Sequence, residues 1–373
     1  MSDQQLTQIR TQIDQIDLQI QTLINQRAVC AQQVAQAKQQ EYEAAQKKGE
    51  KIDLLFYRPE REAQVLRSVI ARNQGPLDAD AMARIFREIM SACLALEKPM
   101  QVAYFGPEGT YTHAAALKHF GHAVIGLPMA TIAAVFAAVE RSETSYGVVP
   151  VENSSEGMVT HTLDNFLDSP LHICGEVELP IHHHLLVGPT TNAQNITKIC
   201  AHPQALAQCR LWLEKNWPNI PKVAVASNAS NAEAARMARD EPGVAAVAGE
   251  MAADIYGLIK LAENIEDHAD NTTRFLIIGR EEVKVSGKDK TSIIVSTRNK
   301  PGALFCLLEP FHKEGVMLTR IDTRPSRTEK WAYVFFIEFE GHQENEPIKR
   351  ILREIEENSL ILKVLGSYPC AVL

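Results

Sequence analysis

The chain has 373 residues, 45% of them apolar and 23% charged, which is long enough for two or three ordinary cores. Lys and Arg total 38 against 46 Asp and Glu, a formal charge of -8 that argues against nucleic acid or an anionic membrane as main partner. No apolar run reaches the roughly 18 residues that span a bilayer, the amino terminus is polar, and the seven cysteines are scattered without a CxxC pair; together these point to a cytosolic protein with reduced core cysteines.

From Leu6 to about Gln46 there is no Gly or Pro, and Leu6, Ile9, Ile13, Ile16, Ile20, Leu23 and Ile24 recur at helical spacing. The pattern predicts one helix of roughly 35–40 residues, longer than globular helices usually run, so its apolar stripe needs a partner. A polar break follows over 47–53. A second helix is predicted over Pro59–Asn73, with Pro59 suited to its first turn, and a third over Asp80–Glu97. Residues 1–97 thus form an all-helical module with little core of its own, expected to dimerise by burying the long helix against a copy of itself. Its cations of interest are Arg10, Arg27 and Lys38. Arg27 and Lys38 return to within about 20° of the same helix face with Cα atoms roughly 16 Å apart, so both side chains can reach one small dianion. Arg10 lies about 25 Å along the helix from Arg27 and could join them only from the antiparallel partner of a dimer. Periodicity alone favours solvated helix charges over an anion clamp.

At Pro99 the texture changes. Gln101–Phe105 reads as a strand, and YGVVPV, HHLLVG, KICAHP, VAVAS, VAAVAG and TRFLIIG then alternate with helical segments as far as Arg280. Such alternation predicts layered α/β architecture with ligands at the carboxyl ends of strands. A charged spacer over Glu281–Asp289 leads to strand Thr291–Thr297, helix Gly302–Lys313, strands Val316–Thr323 and Trp331–Glu340, helix Pro347–Asn358 and strand Ile361–Tyr368. That order is the βαββαβ of split-βαβ domains.

Several α/β segments are dense in polar residues. Gly106-Pro107-Glu108-Gly109-Thr110-Tyr111 joins a strand to a helix and suits either an anion site or a plain βα turn. It is neither GxGxxG nor a P-loop, so a nucleotide is not indicated. Similar runs occupy Pro150–Gly157, Ala201–Leu206, 227–232 and Asp270–Phe275. His182, His183 and His184 are consecutive on a strand and point to alternate faces, which favours a structural or cleft-lining role over a metal.

Residues 5–97 resemble the helical chorismate mutases that form the N-terminal part of bifunctional P-proteins. The matching pieces are Leu6-x-x-Ile9-Arg10-x-x-Ile13-Asp14, Leu23-Ile24-x-x-Arg27, Ala37-Lys38 and Arg58-Pro59-Glu60-Arg61-Glu62. The resemblance implies that Arg27 and Lys38, with Arg10 of the other subunit, grip the two carboxylates of chorismate. It places Arg61 and Glu62 at the ring-hydroxyl side and Glu97 beside the ether oxygen. The rearrangement runs through a cyclic dipolar transition state without covalent help, so such a site must hold a compact conformer and donate hydrogen bonds to the ether oxygen. Lys38 does so at neutral pH; Glu97 does so only when protonated.

Residues 101–280 resemble prephenate dehydratases, through GPEGTYT, GVVPVENSSEG, CAHPQALAQC, AAVAGEMAADIYGL and DNTTRFLIIG in family order. The resemblance implies a two-lobed fold like periplasmic binding proteins, with prephenate in the cleft. Thr273 would be the catalytic hydroxyl, with Arg274 and Phe275 completing a substrate-contacting Thr-Arg-Phe motif. Asn153 and Gln204 would be further catalytic polar groups, and Thr110, Ser154 and Ser155 substrate contacts. Aromatisation drives the reaction, and the remaining task is to help hydroxide leave. Thr273 is a very weak acid and would donate a hydrogen bond or relay a proton; Glu152 is a possible proton source or a structural carboxylate. No metal or organic cofactor is expected.

The last unit resembles an ACT domain. Gly302, Ala303 and Leu304 open its first helix within Asn299-Lys300-Pro301-Gly302-Ala303-Leu304-Phe305, and Thr323, Arg324 and Pro325 lie in Ile321-Asp322-Thr323-Arg324-Pro325-Ser326, similar to the family's Glu-Ser-Arg-Pro motif. The implied ligand is phenylalanine, bound between the ACT domains of two chains; the residues alone also suit a structural dimeriser. The expectation is a multidomain chain: an all-α chorismate mutase module over 1–97, an α/β prephenate dehydratase domain over 98–280 and an α+β ACT domain over 289–368. It would be a cytoplasmic homodimer or larger homo-oligomer that acts on chorismate and then prephenate and is inhibited by phenylalanine. The rivals are a monofunctional prephenate or arogenate dehydratase with a helical dimerisation arm, and a noncatalytic amino-acid sensor.

Overall fold

A computed structural model describes residues 3–49, 57–225, 230–297, 300–325 and 333–373. Part of the polar break expected over 47–53, Ser227–Ala229, Asn299, Ser326 and the first two residues of the strand expected at Trp331 lie outside the described residues. The chain divides into two compact units, residues 1–58, 68–100 and 120–125 in one, and residues 59–67, 101–119 and 126–373 in the other.

In the first unit, helix α1 (Asp3–Lys48) runs unbroken for 46 residues, because no Gly or Pro interrupts its backbone ladder. Helix α2 (Pro59–Arg72) starts on a proline whose missing N–H is harmless in the first turn; its residues 59–67 count with the second unit. Helix α3 (Ala79–Glu97) is capped by Asp78, whose side chain accepts from the Ala81 N–H. Helix α1 packs against α3, yet Ile9, Ile13, Ile16, Ile20 and Leu23 remain between 45% and 62% exposed. The predicted stripe is therefore real, and the described residues leave it exposed.

The second unit opens with a lobe built from β1 (Gln101–Phe105), α4 (Tyr111–Phe120), β2 (Ile125–Met129), α5 (Ile132–Glu140), β3 (Tyr146–Asn153), β4 (Gly157–Met158), α6 (Thr160–Asp168) and β5 (His172–Pro180). The chain crosses to a second lobe of β6 (His184–Val187), β7 (Lys198–Ala201), α7 (Pro203–Gln208), α8 (Arg210–Asn216), β8 (Lys222–Ala224), α9 (Ser230–Asp240), β9 (Val244–Ala248), α10 (Glu250–Tyr256) and β10 (Ile259–Ala262). It returns to the first lobe as β11 (Thr272–Gly279). The sheet orders are β2-β1-β3-β11-β5, with β4 beside β3, and β10-β6-β9-β7-β8. Two crossings between two mixed sheets make the two-lobed architecture, with the cleft between them.

The C-terminal region follows as β12 (Asp289–Ser296), α11 (Ala303–Glu314), β13 (Leu318–Pro325), β14 (Tyr333–Glu340), α12 (Glu346–Asn358) and β15 (Ile361–Pro369), the predicted βαββαβ, in sheet order β13-β14-β12-β15. The charged spacer is not loose to its end. Asp289 is buried, accepts from Ser286 and Gly287, and already pairs with Pro369.

Side-chain alternation gives this sheet two buried faces. Ile293, Val295, Phe335, Ile337 and Phe339 pack under α11 and α12. Ile294, Val334, Phe336, Leu365 and Tyr368 share a core with Leu163, Phe166 and Ile173 of the first lobe. Nothing in the alternation of β14 announces the second face, because a fully buried strand reads as an unbroken apolar run. Cys93, Cys174, Cys200 and Cys209 are core residues as expected, whereas Cys30 and Cys306 are exposed.

Candidate functional site

Strand β11 lies between β3 and β5 and pairs Thr273 directly with Asn153. Paired residues share a face, so the two side chains meet. Asn153 Nδ2 donates to Thr273 Oγ1 at 2.9 Å and to Asn271 Oδ1 at 2.8 Å. The loop after β3 folds onto the same spot. Ser155 N–H donates to Asn153 Oδ1 at 3.0 Å, Ser155 Oγ donates to Asn271 Oδ1 at 3.3 Å, and Thr272 N–H donates to Ser154 Oγ at 2.9 Å. Asn153, Ser154, Ser155 and Thr273 are thus brought together. Asn271, which sequence reasoning passed over, bridges them; its place two residues before Thr273 in the polar run Asp270–Phe275 was the available signal.

Two expected substrate contacts stand elsewhere. Arg274 pairs with Glu152 in the register, so its side chain takes the face opposite Thr273. It is 8% exposed, and its guanidinium binds Glu176 Oε2 at 3.1 Å and Glu338 Oε1 at 2.6 Å. Burial works against its charge, but Glu338, joined by Tyr368 and Glu176, outweighs burial and raises the guanidinium pKa. Glu338 is pushed up by its own burial, and Arg274 with Arg320 and Lys290 more than reverses that. Glu152 pairs with Arg320 on that same side, which makes it a structural carboxylate. Phe275 is 1% exposed, a core side chain. For Arg274, adjacency to Thr273 misled because immediate neighbours on a strand take opposite faces; Phe275, two residues on, is taken up by the core.

Thr110 lines a cavity of 570 Å³ with Tyr111, His182, Glu250, Lys260 and Asn264, so residues from both lobes contribute. Tyr111 Oη donates to the His182 carbonyl at 2.8 Å and meets His183 Nδ1 at 2.8 Å; His183 Nε2 meets Gln208 Oε1 at 2.8 Å. Burial lowers the His183 pKa, so this ring is neutral. His182 and His183 lie in the segment between β5 and β6, with only His184 on a strand, so the expected alternation does not apply; His182 pairs with Glu266 at 2.7 Å. The three histidines thus brace and line the cleft. Gln204 sits in the first turn of α7, where its N–H donates to His202 Nδ1. Burial lowers the His202 pKa, while Glu156 acts to raise it, which puts the α7 start within electrostatic reach of the loop carrying Ser154 and Ser155.

In the helical unit, Arg27 and Lys38 are half-buried on α1 and Arg10 is exposed. Glu97, at the end of α3, feels both cations: burial raises its pKa, and Lys38 and Arg27 act in the opposite sense. The predicted pair and the predicted acid therefore converge, and one Glu97 carboxyl oxygen is buried without a hydrogen-bond partner among the described residues. Arg61 is exposed and Glu62 half-buried in the first turn of α2.

Comparison with known proteins separates the readings. A family model for chorismate mutase type II matches residues 9–98, one for prephenate dehydratase matches 102–283, and one for the ACT domain matches 291–357. The bifunctional chorismate mutase/prephenate dehydratase of Pseudomonas aeruginosa is 58% identical over 374 residues and covers 100% of both chains. The chain belongs to the bifunctional chorismate mutase/prephenate dehydratase family. The Aquifex aeolicus member is 44% identical over 99% of each chain. The crystal structure of prephenate dehydratase from Arthrobacter aurescens in complex with L-Phe is 34% identical, with a TM-score of 0.66, over 72% of this chain and 89% of that one. Matches to mutase, dehydratase and ACT models in one chain favour the bifunctional reading over both rivals. Among the described residues no helix is long and apolar enough to cross a membrane.

The ACT region carries its expected residues on two different faces. Gly302 starts α11 with φ 79°, the left-handed region, and Ala303 and Leu304 follow. On β13, Ile321, Thr323 and Pro325 are exposed, while Arg320, Asp322 and Arg324 point the other way. Arg324 Nη2 binds Asp164 of α6 at 3.0 and 3.2 Å. Its expected grouping with Thr323 and Pro325 at one ligand is therefore corrected: period-two alternation puts it on the dehydratase side.

Proposed function

We propose that the helical module rearranges chorismate to prephenate, that the two-lobed region converts prephenate to phenylpyruvate, and that phenylalanine acting at the ACT region inhibits the second step. Asn153 donating into Thr273 Oγ1 carries the dehydratase assignment. With that lone pair engaged, the Thr273 O–H is left to point at a substrate oxygen. The ring C–carboxylate bond breaks to release carbon dioxide, its electron pair enters the ring, and the C–O bond opposite breaks. The departing hydroxide takes a proton relayed at Thr273 and leaves as water. Ser154, Ser155, Gln204 and Thr110 are assigned to substrate contact and orientation.

For the mutase, Arg27 and Lys38 hold the carboxylates, and Lys38 and protonated Glu97 face the ether oxygen. Arg10 of a second copy is assigned to the same site; Arg61 and Glu62 are carried as contacts by the resemblance alone. A homodimer is supported by the exposed stripe Ile9, Ile13, Ile16 and Ile20 and by exposed Leu304, Phe305, Met317 and Ile321 in the ACT region. Gly302, Ala303, Leu304, Thr323 and Pro325 are assigned to the phenylalanine face, and the cytoplasm to the enzyme's location. The domain limits proposed are 1–97, 98–280 and 289–368.

The test is a coupled assay on the full chain: chorismate in, prephenate and phenylpyruvate out, with and without phenylalanine. Phenylpyruvate formed from chorismate and suppressed by phenylalanine supports every assignment. Prephenate consumed while chorismate stays intact reduces the helical module to a dimerisation arm. No turnover with phenylalanine still bound leaves a sensor.

A further inference from the structure

The ACT sheet and the first lobe meet through apolar side chains and, beside them, a row of charges. Glu338 holds Arg274 at 2.6 Å, and Arg274 holds Glu176 at 3.1 Å. Lys290 binds both Glu176 oxygens, at 2.7 and 3.0 Å. Arg320 pairs with Glu152, and Arg324 with Asp164 at 3.0 Å. Three of these groups border the catalytic cluster. Glu152 precedes Asn153, Arg274 follows Thr273, and Asp164 lies on α6, the helix after the loop that holds Ser154 and Ser155.

Packed apolar residues would stabilise this contact at least as well as buried ions do. The row is also incompletely paired. Among the described residues, Arg274 Nε, Glu338 Oε2 and Arg324 Nε are buried without a hydrogen-bond partner. Arg274 Nε lies 3.9 Å from Glu152 Oε2, and Glu338 Oε2 lies 3.8 Å from Arg320 Nε. Each near pair lies within one sheet, Arg274 and Glu152 being register partners on β11 and β3, and Arg320 and Glu338 on β13 and β14. The present pairs Arg274–Glu338 and Arg320–Glu152 cross between the sheets, so parting the sheets by about 1 Å would exchange cross-sheet pairing for within-sheet pairing. The same charges therefore have two ways to pair, and a contact with two arrangements is what coupling between sites requires. Strand β13 connects this row to the exposed face. Thr323 alternates with Asp322 and Arg324, so a ligand that shifts Thr323 shifts the strand whose other face grips Glu152 and Asp164.

We propose that this row of ion pairs is the link through which an occupant of the ACT region changes the placement of Asn153 and Thr273, with Arg324 a positioning residue and not a ligand. The proposal rests on phenylalanine being the effector. It is tested on the full chain with Asp164→Asn and Glu338→Gln, measuring dehydratase kcat and KM with and without phenylalanine, phenylalanine binding by calorimetry, and mutase activity as the control for folding. Each variant should bind phenylalanine within about threefold of wild type, while its fold-inhibition drops by about fivefold or more, the lower end of ordinary allosteric coupling. Arg324→Asp combined with Asp164→Arg should recover inhibition that either change alone removes, while phenylalanine binding stays within about threefold throughout, a split that a merely structural role would not produce. Inhibition unchanged in both Asp164→Asn and Glu338→Gln overturns the proposal. So does Arg324→Lys abolishing phenylalanine binding while Asp164→Asn retains both binding and inhibition, since Arg324 is then a ligand. A wild-type chain that binds no phenylalanine sinks the effector reading, and the proposal falls with it; binding and inhibition that persist unchanged in the variants sink the proposal alone.

Discussion

Replacing Thr273 with Val keeps the shape of the side chain and removes only its hydroxyl. Thr273 is 9% exposed and accepts from Asn153 Nδ2 at 2.9 Å, so the change deletes one nearly buried hydrogen bond. Asn153 keeps its bond to Asn271 at 2.8 Å and is not stranded. The stability cost is therefore that of one neutral bond, about 1 kcal/mol, which leaves a domain of ordinary stability folded. If Thr273 donates to the leaving oxygen, the loss in kcat should be that of one transition-state donor, about 10²–10³-fold, or about 3–4 kcal/mol. The two effects differ enough to be told apart. The chain carries its own control, because mutase turnover of chorismate should stay within about twofold while dehydratase turnover collapses. Thr273→Ser retains the hydroxyl and should recover most of the rate. Dehydratase kcat within tenfold of wild type in Thr273→Val, measured on a folded protein, would refute the donor role.

Glu97 has a pKa raised by burial, so its protonated, donating form persists to higher pH than for an exposed carboxyl. Mutase activity should fall as pH rises through that value, and Glu97→Gln, a donor at every pH, should flatten the profile; an identical slope in the variant removes Glu97 from the site. Gly302 has φ 79° and open space where a Cβ would go, so Gly302→Ala should cost only the backbone term of about 1–2 kcal/mol, read as a lower melting temperature, and should weaken phenylalanine binding. Glu338 has a depressed pKa in the folded state, so its stabilisation is complete above the ordinary value of 4.5 and is lost as pH falls through the folded value. Thermal melts of wild type should drop in that acidic window, and those of Glu338→Gln should drop less.

What the sequence determined by itself was the inventory. An uninterrupted apolar stripe dictates a long helix whatever surrounds it, and alternating apolar strands and helices dictate layered α/β structure. Local motifs such as Asp270–Phe275 carry the resemblance to prephenate dehydratases, and that resemblance is what allowed Thr273 and Asn153 to be named before they were seen to touch. What only the tertiary structure decided was direction and partnership. Arg274 and Thr273 are neighbours in sequence, yet strand alternation sends Thr273 to Asn153 and Arg274 to the ACT sheet, and the sequence does not say what waits on either face. Arg324 and Thr323 part in the same way. Asn271, Glu338 and Asp164 were illegible for a related reason. Their importance comes from groups 118, 64 and 160 positions away, and a buried polar side chain acquires meaning only from the partner that satisfies it.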